Sequence, residues 1–332
     1  MAASSTSSPD YLAPFRIEPV FTARVWGFRD LRPWYDRPTE AQPIGEVWLT
    51  GDDCIVATGP HSGEKLGSLF STHCSALLGA QAFAGGSPLL IKVIFAKEKL
   101  SVQVHPDDKM AQKYGQPRGK TECWYVLAAD PGAQVAAGLK PGTTLANLQQ
   151  GIRDGTLENS LSVLSVHAGD MVFVDAGTVH AIWPGPILLE TQQNSDITYR
   201  MYDYGRPREL HLEKSLEAVR FDTRAGKIAP RQSNGRTVLI DVEYFRVERI
   251  PVSGTISSQQ LRANEKPGLA YLFAASGAGR LSGPGFGPID LATRGIVAVP
   301  ASSPEFVLHD LVRPEGALDL IRITPNWPAE SR

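Results

Sequence analysis

The strongest constraint on this chain is its punctuation, because apolar runs of strand length are cut again and again by glycine and proline. The 332 residues include 31 Gly and 25 Pro. Beyond residue 237 the segments 238–250, 269–274, 296–299, 306–308 and 318–323 read as short strands between Gly- and Pro-rich turns, and 46–50, 55–58, 123–129, 134–138, 187–190 and 197–202 read the same way upstream. Many short strands so separated bury their apolar faces against one another, in a sandwich or a barrel. The run LLIKVIFA at 89–96 is nearly unbroken except at Lys92, and at that length it suits a buried strand better than a helix. Helical spacing is confined to 65–78, where Leu66, Leu69, Phe70, Leu77 and Leu78 recur on one side, and to 141–151 and 212–219. The expectation is a mainly β protein with a few short helices.

Composition removes some functions. A formal net charge of -2 and a pI near 6.4 give no bulk attraction to nucleic acid or to an anionic membrane. Neither is expected as a partner. Cys54, Cys74 and Cys123 are odd in number, widely spaced and without a CxxC pattern, which argues against a disulfide framework and against a thiolate zinc cluster. The start, MAASSTSSPDYLAP, fits neither a secretory signal nor a membrane span, so cytoplasmic residence is expected and residues 1–10 read as a disordered lead-in. Segment 222–236 mixes charge, Gly, Pro and Ser without periodicity, which sets a soft boundary between a unit at 11–225 and a second at 226–332. GDMVFVDAGTVHAI at 169–182 is echoed by GIVAVPASSPEFVL at 295–308. Two related β units are therefore expected, the second without a counterpart to His180 and so without metal ligands.

The stretch 99–125, KLSVQVHPDDKMAQKYGQPRGKTECWY, carries the candidate chemistry. On a strand, Ser101, Gln103 and His105 line one face while Leu100, Val102 and Val104 pack behind. A polar row of this kind is ordinarily a solvent face. With Glu122 on the next strand and His180 after a Gly turn, it can equally surround a metal, since imidazole and carboxylate bind Zn²⁺ well and a catalytic zinc keeps an open or weak fourth position. Gln is a rarer ligand, and Gln103 either binds the ion or supports those that do. Taken singly, each residue has a plainer role: His105 capping the Pro106-Asp107-Asp108 turn, Glu122 pairing with Lys120, His180 bonded to backbone.

The segment from Gly169 to His180 matches the second cupin signature. Together QVHPDD, GKTECWY, GDMVFVDAGTVHAI and LLETQQNSDITYRMYDYGR, in this order, resemble the short form of the type I mannose-6-phosphate isomerases (phosphomannose isomerases) of the cupin superfamily. The resemblance implies two jelly-roll, cupin-like units and a zinc-dependent aldose-ketose isomerase interconverting mannose 6-phosphate and fructose 6-phosphate, with one Zn²⁺ per chain, acting as a monomer or small homo-oligomer. It assigns His105, Glu122 and His180 as metal ligands with Gln103 as the fourth, Arg200 and Lys120 as active-site cations, and Ser101 as a neighbour of the phosphate.

The residue types suit such chemistry. Moving a proton between C1 and C2 passes through an enediol whose oxygens gather negative charge, so cationic groups and a base are needed. Arg200, Lys120, Ser101 and Arg206 are candidate phosphate contacts. Glu190, ending an apolar strand, is the candidate base, on the expectation that desolvation raises its pKa; pairing with Arg200 is the alternative. Two departures stand out: Asp175 occupies a place where the cupin pattern commonly has Pro, and 138–161 leaves no room for the helical insertion of longer members. Competing readings are a cupin oxygenase or epimerase, which the missing HxH pair disfavours, a metal-binding cupin acting on another sugar phosphate, and a non-catalytic sugar-binding cupin.

Overall fold

The computed structural model describes residues 11–38, 40–79, 86–263, 265–311 and 317–326; the lead-in expected at 1–10 lies outside the described residues. Strands dominate, arranged in sheets of eight, seven, five and four. In the first sandwich the seven-stranded sheet meets the five-stranded one, Ile94, Trp124, Val172 and Leu188 packing on Val135, Ala137 and Ile182. In the second, Ile250, Leu272 and Leu318 of the eight-stranded sheet pack on Leu281, Leu291 and Leu308 of the four-stranded one. The two large sheets then lie back to back, with Val47, Val93, Tyr125 and Phe173 against Phe245, Val247, Tyr271 and Ile323. Helix Leu66–Leu78 adds Leu69, Phe70 and Leu77 to that core. This is the mainly β, cupin-like architecture the sequence leads one to expect.

Period-two alternation assigns side chains to layers. Along Glu122–Ala129, Trp124 and Val126 enter the first sandwich while Cys123 and Tyr125 face the back-to-back core. The outer face of the five-stranded sheet, carrying Val102, Val104, Val179 and Met201, is covered by Leu148 of helix Leu145–Asp154 and by Leu157. That helix starts four residues later than Pro141 suggests, because Thr144 caps it: its hydroxyl accepts from Asn147 N at 3.2 Å and its own N–H donates to the Asn147 side chain at 2.9 Å. Segment 238–250 is not one strand but two, Arg236–Asp241 and Phe245–Val252, paired antiparallel.

Two short strands cross the expected division near residue 225. Phe15–Glu18 pairs with Ile296–Val299 on one side and Ile55–Val56 on the other, while Gly226–Ile228 pairs with Met171–Val174 of the first sandwich. Among the described residues no helix is long and apolar enough to cross a membrane.

Candidate active site

The polar row of the sequence faces the interior of the first sandwich. Strand Val102–Val104 turns its two valines toward the covering helices, and Ser101, Gln103 and His105 point the other way. Pro106 ends the strand, and Asp107 caps helix Asp108–Lys113 by accepting from Met110 N at 2.8 Å. Register does the rest: Gln103 stands opposite His180 on one neighbour and opposite Arg200 on the other. Across the sandwich, Glu190 stands opposite Lys92 and Trp124, and Gln192 opposite Glu122.

His180 is aimed by the turn before it. Gly177 has φ 88° and donates its N–H to the His105 carbonyl at 2.8 Å, tying the turn to the other imidazole's backbone. Asp175 accepts from the Thr178 hydroxyl at 2.9 Å and from Arg224 N at 3.2 Å, so side-chain bonds close the turn where a proline would have stiffened it. His180 Nδ1 lies 2.9 Å from the Thr178 carbonyl. A carbonyl can only accept, so Nδ1 carries the proton and Nε2 presents a lone pair inward.

His105, Glu122 and His180 offer ligand atoms all within 4.8 Å of one another. Glu122 Oε2 is 3.5 Å from His105 Nε2, and its Oε1 is 3.5 Å from His180 Nε2. All three side chains are buried, and neither Glu122 oxygen receives a well-aligned hydrogen bond. Burial drives both imidazoles toward the neutral form, His180 to about 4 against the pull of the Thr178 carbonyl, and His105 well below its ordinary value with Lys120 adding to the effect. Burial and the charge of Glu190 raise Glu122 to about 7. The Lys120 ammonium nests among these atoms, 2.8 Å from Glu122 Oε2 and 3.1 Å from His105 Nε2. Two neutral imidazoles and a buried carboxylate gathered on a positive charge are donors suited to a divalent cation. Gln103 completes the ring, its amide nitrogen 3.2 Å from His180 Nε2; turning the amide over would present its oxygen instead.

A cavity of about 480 Å³ opens onto this group, and Ser101, Gln103, Lys120, Glu190 and Arg200 line it. Arg206 does not; its guanidinium is held outside by Asp203 at 3.2 Å and Glu98 at 3.3 Å. A larger cavity, about 920 Å³, lies elsewhere between Phe15, His61, His73 and Phe286, and no Lys or Arg lines it.

Glu190 differs from expectation. Its partner is not Arg200 but Lys92, 2.7 Å away, with the Trp124 indole donating to its other oxygen at 2.9 Å. Burial alone would raise this carboxyl, but Lys92, helped by Lys120, brings it down to about 2. Lys92 is shared with Glu46 at 3.7 Å, and Glu46 is bound in turn by Arg24 and Trp48. Arg200 instead donates to the Glu209 carbonyl at 2.8 Å.

A family model described as phosphomannose isomerase type I, catalytic domain, matches residues 15–144. Mannose-6-phosphate isomerase ManA of Bacillus subtilis is 36% identical over 284 residues, spanning 81% of this chain and 87% of that protein. The chain belongs to the type I phosphomannose isomerase family. A mannose-6-phosphate isomerase of Streptococcus mutans is 34% identical over 260 residues, 74% of this chain and 81% of that one. The crystal structure of the mannose 6-phosphate isomerase from Bacillus subtilis matches with a TM-score of 0.81 at 28% identity, covering 94% of this chain and 99% of that one. A variant of the Salmonella typhimurium phosphomannose isomerase, 16% identical with a TM-score of 0.75, shares the fold over 95% of this chain and all of its own.

For this phosphomannose isomerase family member the pocket holds residues that sequence reasoning passed over: Lys92, Glu46, Arg24 and Arg208. Lys92 had a visible signal, since a charge inside a fully apolar strand is rarely buried without a partner. Glu46 and Arg24 gave none, because strand alternation does not say which of several faces becomes a pocket wall.

Proposed function

We propose that this isomerase interconverts mannose 6-phosphate and fructose 6-phosphate by proton transfer between C1 and C2 through an enediol, with one Zn²⁺ held by His105, Glu122 and His180 and with Gln103 as fourth ligand. The observation that carries the reading is the buried His–Glu–His group set against Lys120 and Gln103 in the floor of a cavity whose wall includes Arg200. Zinc, when bound, supplies Lewis acidity toward the substrate's oxygens. Lys120 supplies a buried ammonium to the enediol oxygens, and the dry surroundings strengthen that contact. Arg200, with Ser101 beside Gln103, receives the phosphate. Glu190 accepts the carbon-bound proton: Lys92 keeps it ionised and ready, and negative charge developing beside it raises its proton affinity during the reaction. The buried, non-disulfide thiols of Cys54 and Cys123 suit a reducing, cytoplasmic setting.

The test is a coupled assay of mannose 6-phosphate isomerisation, with metal analysis, before and after chelation and after zinc is restored. Turnover that chelation abolishes and zinc returns is the expected result. Absence of turnover with zinc fully loaded overturns the activity, and a panel of other sugar phosphates then tests the nearest alternative. Full turnover after exhaustive metal removal overturns the role of the ion alone.

A further inference from the structure

The charges of the cavity are unevenly compensated. Among the cations that line it, Arg24 and Lys92 are paired with Glu46 and Glu190, and Lys120 with Glu122. Among the described residues the Arg200 guanidinium has only the Glu209 carbonyl, and its buried Nε has no partner. Arg208 shares the wall with it. Asp203, whose side chain is 1% exposed, grips Arg208 from behind: Arg208 Nε donates to Oδ2 and Nη2 to Oδ1, both at 2.6 Å. A two-pronged grip of this kind fixes the plane of a guanidinium and leaves Nη1 outside the grip, on a residue that lines the cavity.

One loop builds both halves of the arrangement. It leaves strand Tyr199–Tyr202, turns back through Asp203 and Tyr204 at φ 56°, and is closed by Arg206 N donating to the Asp203 carbonyl at 3.0 Å and Arg208 N donating to the Arg206 carbonyl at 2.8 Å. It supplies Asp203 to orient Arg208 and the Glu209 carbonyl to orient Arg200. Burial first, and the charge of Arg208 after it, disfavour the charged form of Arg200, while Asp203 and Glu209 support it. Two oriented guanidinia on one wall, one of them on a carboxylate that Arg206 shares, suit an anion in front of them.

We infer that Arg208, oriented by Asp203, is the second guanidinium of the phosphate subsite and acts with Arg200, where the sequence offers Arg206 among its candidate phosphate contacts. The inference rests on the sugar-phosphate reading above and sharpens it. Arg208 is a binding residue; Asp203 is a positioning residue that acts through it.

The experiment titrates zinc-loaded wild type, R208Q, R208K, D203N and R206Q with inorganic phosphate by calorimetry, and measures kcat and KM for mannose 6-phosphate on the same preparations. R208Q is expected to weaken phosphate binding and raise KM by about 10- to 100-fold while kcat changes by less than roughly threefold, the loss of a charged fork contact felt alike in ground and transition states. R208K keeps the charge without the fork and should fall between, and D203N should raise KM while the charge of Arg208 remains. Phosphate affinity of R208Q within about twofold of wild type, or a larger loss in R206Q than in R208Q, overturns the inference. If R208Q fails to fold by circular dichroism, R208K and D203N decide by the same criterion. Should wild type bind phosphate through Arg208 yet not turn over mannose 6-phosphate, the proposed activity fails and this subsite stands.

Discussion

At the scale of single residues, the pairing of Glu190 with Lys92 bears on both the proposed chemistry and stability. Glu190→Gln is expected to lower kcat by about 10²- to 10⁴-fold, the usual worth of a positioned proton acceptor, while zinc content stays unchanged; near wild-type turnover would remove Glu190 from the mechanism. The same pair sets an acid limit. Glu190 has its folded pKa lowered from 4.5 to about 2, so its contribution is fully present above the unfolded value and is lost as pH falls through the folded one. Urea midpoints of wild type should therefore drop between pH 4.5 and 2 more steeply than those of Glu190→Gln, and parallel curves would show that the carboxylate is not held by Lys92. Alternation along 101–105 and the Gly turn before His180 made the candidate metal group legible in the sequence. The pKa of Glu190 was not, because its sign depends on Lys92, which only sheet register brings opposite.

At the scale of elements, the site depends on short turns that aim side chains out of strands. Gly177 is the one to test. Its φ of 88° is a conformation L side chains rarely adopt, and a Cβ there would lie 2.6 Å from Arg220 Cγ and 3.1 Å from the Ala218 carbonyl oxygen. Arg220 can move, but the Ala218 carbonyl is backbone, and Arg220 N itself donates to the Gly177 carbonyl at 2.9 Å. Gly177→Ala is expected to cost about 1–3 kcal/mol and to loosen zinc binding, since the same turn carries His180 and ties to the His105 carbonyl. Thermal melts with metal titration check both, and an unchanged melt with unchanged zinc affinity would show that the turn tolerates a side chain. Elements were legible where punctuation was strong: 296–299 is read to the residue, and 89–96 and 65–78 to within one. They were not where it was weak. The hairpin inside 238–250 turns at Val242, Glu243 and Tyr244, with neither Gly nor Pro to mark it, and strand Val20–Phe28 hides among aromatics and charges without clean alternation.

At the scale of the whole molecule, the two sandwiches share more than a linker. The sequence places a boundary near 225 from composition alone, and composition cannot report that Phe15 pairs with Ala298 or that Phe173 pairs with Gly226. Those pairings, and the core between the large sheets, hold Phe15, Ile17, Val93 and Phe173 in one apolar cluster with Tyr271, Ile296 and Ile323. A chain ending at 225 would expose the back of the seven-stranded sheet, leave Phe15–Glu18 without the neighbour it has in Ile296–Val299, and lose Gly226–Ile228 from the edge beside Met171–Val174. A broad apolar face and an unpaired edge together favour association of the fragment with itself. We therefore expect residues 1–225 expressed alone to aggregate or to bind zinc poorly, although every proposed metal ligand is present, and to recover solubility and zinc binding when residues 226–332 are expressed alongside. A monomeric 1–225 with wild-type zinc affinity would show instead that the first sandwich is a self-sufficient domain and that the second is an appendage to it. The distinction bears on how the family's site is kept in register. If the fragments need each other, the second sandwich, which supplies none of the proposed metal ligands, holds the back of the sheet that carries Glu122, Glu190 and Lys92, and so acts on the proposed metal centre through the core between the large sheets.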